Sequence, residues 1–315
     1  MALDDKLSFV LGANLPWVRY GGDFGGNAWS PAGGIASRDE SDTLLAIFDR
    51  LRALGVTVVR WFLLCDMRAG VRFDGDGVPV ALDPAVERDL DVALRLLERR
   101  GLRMMPVLFD FHLCRPRRFV NGVQLGGRSR LLRVAEFRGR LLEAVVEPLL
   151  VRYGSDPHIA AWDLLNEPEW ATFGVGTWNP VTSVSRGAMR AYLGEGASLV
   201  HALSNHGVTV GSASAATLDL VRGLGLDFYQ PHWYDRLDRR APITRDCGTL
   251  GCDAPVVLGE FPTRGSKRAP GDLIALARQA GYAGAYFWSV LADDAHSEFD
   301  ALETALARAE PVKST

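Results

Sequence analysis

The stretch Ile159-Ala-Ala-Trp-Asp-Leu-Leu-Asn166-Glu167-Pro168 is an apolar run that ends on an amide and a carboxylate. A second stretch, Pro255-Val-Val-Leu-Gly-Glu260-Phe-Pro262, ends in the same way on one glutamate. Near-continuous apolar runs of this length read as parallel strands buried on both faces. A carboxylate closing such a run is costly to bury without partners. Outward from these two, the same kind of run recurs at 7–13, 56–63, 103–111, 208–211, 227–232 and 283–288, which makes eight strand candidates.

Amphipathic stretches fill the gaps. Asp83 is placed to N-cap a helix with Pro84 at its first position, Val86, Leu90, Leu94 and Leu97 form one apolar stripe, and Gly101 ends it. Leu44, Ile47, Phe48, Leu51 and Leu54 make a similar stripe, stopped by Gly55. Further helices are predicted over 131–150, 186–205, 273–280 and 298–308. Eight β units each followed by an α unit point to an α/β protein with a parallel sheet. An open, doubly wound sheet usually places a glycine-rich phosphate turn straight after its first strand. Here Gly21-Gly-Asp-Phe-Gly-Gly26 lies well past that strand, among Trp17, Tyr20, Phe24 and Trp29, and reads as an aromatic loop over a cleft. The expected fold is a (β/α)8 TIM barrel. The 315 residues would also suit two domains, but no linker or repeat interrupts the series, so a single domain over 1–315 is expected.

Composition narrows the function. Hydrophobic residues are 48% and charged residues 23%, which excludes a disordered or collagen-like chain. The net charge of −3, from 35 basic against 38 acidic residues, gives no basic surface for nucleic acid. No apolar run is long enough for a membrane span. The acidic start, Met1 to Val10, does not read as a signal peptide. A cytoplasmic location is expected, or a secreted one if a leader has been removed. Cys65, Cys114, Cys247 and Cys252 lack zinc-finger spacing, and free thiols are expected, although Cys247 and Cys252 are near enough in sequence to close a small loop. No metal or cofactor is expected.

In a barrel of this kind the chemistry sits where the strands end. The second run carries Arg60, and the third ends Phe109-Asp-Phe-His112. The fourth ends on Asn166 and Glu167, the sixth on His232-Trp233-Tyr234, the seventh on Glu260 and the eighth on Trp288. Taken singly, a histidine or tryptophan here is ordinary packing. Two glutamates at the ends of strands four and seven are not. Paired carboxylates suit glycoside hydrolysis: one protonates the departing oxygen, and the other attacks the anomeric carbon or activates water. Arg60 and the Tyr234 hydroxyl are suited to hold one of them ionised, while the other, in a drier setting, keeps its proton.

This set closely resembles the cellulase family, glycoside hydrolase family 5 of clan A, from Asn14 to about Trp288. The Asn166-Glu167-Pro168 motif is its most specific part. The family's arginine after strand two is matched by Arg60, its strand-three histidine by His112, and its strand-six His-any-Tyr by His232 and Tyr234. Its strand-seven glutamate is matched by Glu260 and its strand-eight tryptophan by Trp288. The resemblance implies that Glu167 is the general acid/base and Glu260 the nucleophile of a retaining reaction through a covalent glycosyl-enzyme. It implies that Asn166 binds the sugar 2-hydroxyl, that Arg60 and Tyr234 orient Glu260, and that His112 and His232 line the −1 subsite. Trp288 is implied as the floor of that subsite, with a cis bond between Trp288 and Ser289.

The sugar itself is not legible in these residues. Trp17, Trp29, Trp170, Trp178 and Trp233 are candidate stacking platforms, whereas Trp61 and Trp162 lie inside strand runs and are expected in the core. The basic loop Arg115-Pro-Arg-Arg-Phe-Val-Asn121 matches an acidic sugar in chemistry, but an arginine-rich composition is the favoured account of it and it is given no role. Phe73-Asp-Gly-Asp-Gly-Val-Pro-Val80 reads as a hairpin that walls one end of the cleft; Asp74 and Asp76 lack the twelfth-position glutamate of a calcium loop. The expected partner is an oligo- or polysaccharide: a β-linked glucan, mannan or related chain. Transglycosylation on the same barrel and a non-catalytic sugar-binding barrel are the alternatives. A metal-dependent amidohydrolase barrel wants a His-any-His on strand one, and Gly12-Ala-Asn-Leu15 has none.

Overall fold

The computed structural model describes residues 9–38 and 40–308; the first two residues of the run at 7–13 lie outside them. Eight parallel strands form a ring: β1 Val10–Leu15, β2 Val58–Phe62, β3 Arg103–Val107, β4 Ala161–Asp163, β5 Gly207–Thr209 continued by Gly211–Ser212, β6 Gln230–Pro231, β7 Val257–Pro262 and β8 Gly284–Trp288. Hydrogen bonding runs without a break from β7 through β8, β1, β2, β3 and β4 to β5. The Gly211–Ser212 part of β5 pairs with β6, and β6 reaches β7 by the bridges Tyr229–Val256 and His232–Glu260, which closes the ring. The fold is a (β/α)8 barrel, as the alternating pattern predicts.

Period-two alternation decides what faces the barrel axis. Along β2, Val58 and Phe62 belong to small inner clusters, whereas Val59, Trp61 and Leu63 join the large core between strands and helices. Arg60, midway between Val58 and Phe62, therefore points to the axis. The lower interior is plugged by Val58, Met105, Ala161, Val257 and Tyr286. Trp61 and Trp162 are fully buried in the outer core, as expected; truncating either to alanine would cost about 3–5 kcal/mol.

The outer helices are α1 Ser41–Ala53, α2 Pro84–Glu98, a broken α3 running from Ala135 to Tyr153, α4 Arg186–Leu203, α5 Pro270–Gln279 and α6 Phe299–Arg308. Asp83 caps α2 as predicted, its carboxylate accepting from the Ala85 N–H at 2.9 Å. The helix predicted over 131–150 is interrupted: Arg130–Arg133 stands apart, and α3 consists of Ala135–Leu141, a π turn at Leu142–Val146 and Glu147–Tyr153. Pro148 has no N–H for the helical ladder and its ring crowds the preceding turn, so the chain widens there. After β5 and β6 the connections carry 3-10 turns, at Ala215–Leu220, Asp235–Leu237 and Cys247–Leu250, in place of α-helices. The four cysteines are free thiols. The hairpin at Val71–Phe73 and Pro79–Leu82 is present, but its tip lies against Arg117, Phe119 and Arg128, away from the strand-end glutamates. Asp74 accepts from the Asp76 and Val78 N–H groups at 3.0 and 2.8 Å, as a turn residue does.

Candidate active site

Arg60 is the hub of the C-terminal face. Its guanidinium is fully buried and donates to Asp163 Oδ2 at 2.9 Å, Asn14 Oδ1 at 2.9 Å, Glu260 Oε1 at 2.8 Å and Asn166 Oδ1 at 2.9 Å. Burial works to lower its pKa, but the Asp163 and Glu260 charges and hydrogen bonds outweigh it and raise the value. Five donors in a rigid fork suit such a junction, which a lysine could not serve. Room for it comes from β5: a Cβ on Gly211 would fall 2.4 Å from Arg60 Nη2.

Glu260 is set into this frame by a bulge. The β7–β8 register shifts between Leu258 and Phe261, so Gly259 and Glu260 together oppose Tyr286. Such a bulge re-aims one side chain, and here the Glu260 carboxylate meets Arg60 on one oxygen and the Tyr234 hydroxyl, 2.8 Å away, on the other. Asn14 holds the bulge by donating to the Gly259 carbonyl at 3.0 Å.

Glu167 stands in left-handed backbone geometry, with φ of 47° and ψ of 58°. A non-glycine residue there stores strain, and such residues concentrate at functional sites. Its Oε1 lies 3.0 Å from His232 Nδ1, and its Oε2 accepts from Trp170 Nε1 at 2.7 Å. The same His232 nitrogen is 3.3 Å from Glu260 Oε2. One oxygen of each glutamate and a His232 nitrogen thus lie within 4.8 Å of one another. These three atoms could in principle ligate a cation, but both Glu260 oxygens already have partners and the Arg60 guanidinium would repel it.

The two carboxyls titrate as a pair. Burial is the largest influence on each and pushes both upward. For Glu167 it is outweighed by the His232 hydrogen bond and charge and by the Trp170 hydrogen bond, which bring the carboxyl below its usual value. For Glu260 burial prevails over the His232 and Arg60 charges, and the Glu167 charge reinforces it, so the carboxyl is raised. These directions run against the expectation that Arg60 and Tyr234 keep their carboxyl ionised: at Glu260 burial outweighs the charges that oppose it.

A cavity of about 200 Å³ opens above the pair, lined by Trp17, His112, Asn166, Tyr234 and Trp288 among others. The Trp288–Ser289 bond is cis, as expected, and the Trp288 indole donates to Asp294 Oδ2 at 2.8 Å. A wider cavity of about 480 Å³ joins it through Trp17, Tyr20 and His112, and Arg68, Arg115 and Arg118 stand on its wall. It lies beside the glutamates without containing them.

Of the residues predicted from sequence, the structure brings together Arg60, His112, Asn166, Glu167, His232, Tyr234, Glu260, Trp288 and Trp17. The tryptophans on the loops divide. Trp170 reaches Glu167. Trp29 is 43% exposed and donates to the Val120 carbonyl, outside the cavity above the two glutamates. Trp178 is 74% exposed and packs edge-on to Phe173. Trp233 is a correction. His232 faces the axis, so its neighbour faces outward, and Trp233 is buried in the core behind the sheet. The sequence reading passes over Asn14, Tyr20, Asp163 and Asp294. Asp163 carries a signal, since it is a lone charge inside an otherwise apolar run. Asp110, within the quoted end of strand three, accepts from Asn166 Nδ2 at 3.0 Å and from the His112 N–H at 2.8 Å.

No family model matches the chain. A mannan endo-1,4-β-mannosidase of Mytilus edulis is 21% identical over 329 residues, covering 89% of this chain and 83% of that protein. One of Cryptopygus antarcticus is 24% identical over 325 residues, covering 89% and 80%. Among solved structures, an endo-1,4-β-mannanase from Eisenia fetida superposes with a TM-score of 0.77 at 21% identity, over 95% of this chain and 90% of that one. At this identity the structural likeness shows the shared barrel.

Proposed function

We propose that this chain is a retaining endo-β-1,4-mannanase of the family 5 type, working as one catalytic barrel. The observation that carries the reading is the pair Glu167 and Glu260, on β4 and β7, with oxygens no more than 4.8 Å apart around His232. That closeness favours direct attack by one carboxylate over an inverting pair, whose carboxyls stand roughly 6.5–9.5 Å apart to admit water. The mannan assignment rests on the relatives, all named for that activity.

In this reading Glu260 attacks the anomeric carbon from below the sugar ring. Arg60 and Tyr234 hold the carboxylate in place, and each oxygen keeps a lone pair beyond the hydrogen bond it accepts. As the C1–O bond breaks, its electron pair leaves with the aglycone oxygen, which takes the Glu167 proton. Water, deprotonated by Glu167, then releases the sugar from Glu260. Asn166 is locked by Arg60 on its oxygen and Asp110 on its nitrogen, and the second amide hydrogen is left for the sugar 2-hydroxyl. The reactive state carries one proton on the pair, so kcat/KM falls at low pH when a second binds and at high pH when the last is lost.

The test is hydrolysis of β-mannan, cellulose derivatives and xylan by the wild type, Glu167→Gln and Glu260→Gln. The expected result is cleavage of mannan by the wild type alone. Turnover that survives Glu260→Gln would overturn the assignment.

A further inference from the structure

Both oxygens of Glu167 are met by N–H-bearing groups. His232 is on the barrel axis and also touches Glu260. Trp170 is different: it sits in the 3-10 turn Pro168–Ala171, is 39% exposed, and its indole N–H donates to Glu167 Oε2 at 2.7 Å. An indole N–H is a donor and nothing else. It bonds a carboxylate oxygen, and it cannot accept the proton of a carboxylic acid. The oxygen it occupies is the one His232 leaves open, hence the one from which a proton would pass to a leaving group.

We propose that Trp170 is a positioning residue that acts through Glu167, its N–H favouring the carboxylate form and so setting the upper pH limit of the reaction. This rests on the reading of Glu167 as the acid/base. As the aglycone oxygen takes the proton from Oε2, the charge left on that oxygen is met by the waiting indole N–H. The contact thus strengthens as the C1–O bond breaks, which makes Glu167 a stronger acid in the first step. In the second step the same contact makes Glu167 a weaker base toward water. The other charged or titratable groups around Glu167 are His232, Glu260, Arg60, Tyr234, Asp110 and Glu169. Glu169 shares the Pro168–Ala171 turn with Trp170 but turns its carboxylate to the Ala213 N–H and the Thr217 hydroxyl; the others sit on other elements. Loss of the indole donor removes one of the influences that hold the Glu167 carboxyl down.

Trp170→Phe deletes the N–H and keeps an aromatic face; Trp170→Ala deletes both. The measurement is the pH profile of kcat/KM on mannohexaose and on a dinitrophenyl β-mannoside, whose departure needs no proton. For Trp170→Phe the alkaline limb on mannohexaose moves up by about one pH unit, while the limb on the aryl mannoside, whose departure draws no proton from Glu167, stays where it is in the wild type; circular dichroism reports the fold. Trp170→Ala shares the shift. An alkaline limb unchanged in Trp170→Phe overturns the proposal. Glu167→Gln keeps the two readings apart: if it cleaves mannohexaose as well as the wild type does, the acid/base assignment itself fails.

Discussion

The ring of side chains around Arg60 and the aromatic residues on the loops above it are built on opposite terms. The ring takes one or two residues from each of several strands, buries them, and pairs nearly every polar atom, so that Asn14, Arg60, Asp163, Asn166, Tyr234 and Glu260 constrain one another. The loop tryptophans Trp29 and Trp178 are exposed and tied by single side-chain contacts: Trp29 to a carbonyl, Trp178 to Phe173. Rigid strands suit a reaction whose atoms must meet within tenths of an ångström, whereas loops suit the recognition of a variable chain of sugars.

The comparison breaks most sharply through the proposed nucleophile. Glu260→Ala should lower kcat on mannan by about 10⁴-fold or more, against less than about 3-fold for Trp178→Ala on the same substrate; steady-state kinetics of both variants decides. Next in size is the cost of opening the ring. Arg60→Met leaves Asp163 and Glu260 buried without their shared cation, and denaturant unfolding should register a loss of about 3–5 kcal/mol.

A smaller effect lies just outside the ring. Glu169 is buried, and burial raises its carboxyl to about 7 against hydrogen bonds from the Ala213 N–H and the Thr217 hydroxyl. Its folded pKa lies above its unfolded one. The stability it contributes is therefore complete below about pH 4.5 and is lost as the pH climbs through about 7, by about 3 kcal/mol in all. Glu169→Gln should remove that slope from the pH dependence of unfolding. An unchanged slope would place the titration elsewhere.

The ring was readable because its residues obey two rules that survive in a bare sequence. Buried strands print apolar runs, and a carboxylate closing one, as at Glu167 and Glu260, has no comfortable structural explanation. What escaped reading was set by three-dimensional pairing. Asp163 looks like a blemish inside a strand until Arg60 is seen 2.9 Å away. Asn14 has nothing to recommend it until the Gly259 bulge comes within its reach. Trp233 shows the rule of alternation misapplied: adjacency to His232 in sequence is what turns it away from the cleft. In the helices, the stripe from Leu131 to Leu149 was legible, but Pro148 placed a π turn in its midst that periodicity does not register. The loops obey neither rule, so Trp29 and Trp170 read alike in sequence, yet only Trp170 touches a glutamate.

The central claim is that Glu260 attacks the sugar while Glu167 supplies and then removes a proton. The most direct test is proton NMR of the anomer first released from a β-1,4-manno-oligosaccharide, recorded before mutarotation. The account predicts the β-anomer at early times, with the α-anomer appearing only as it equilibrates. Initial release of the α-anomer would mean that water attacks directly, and would contradict it.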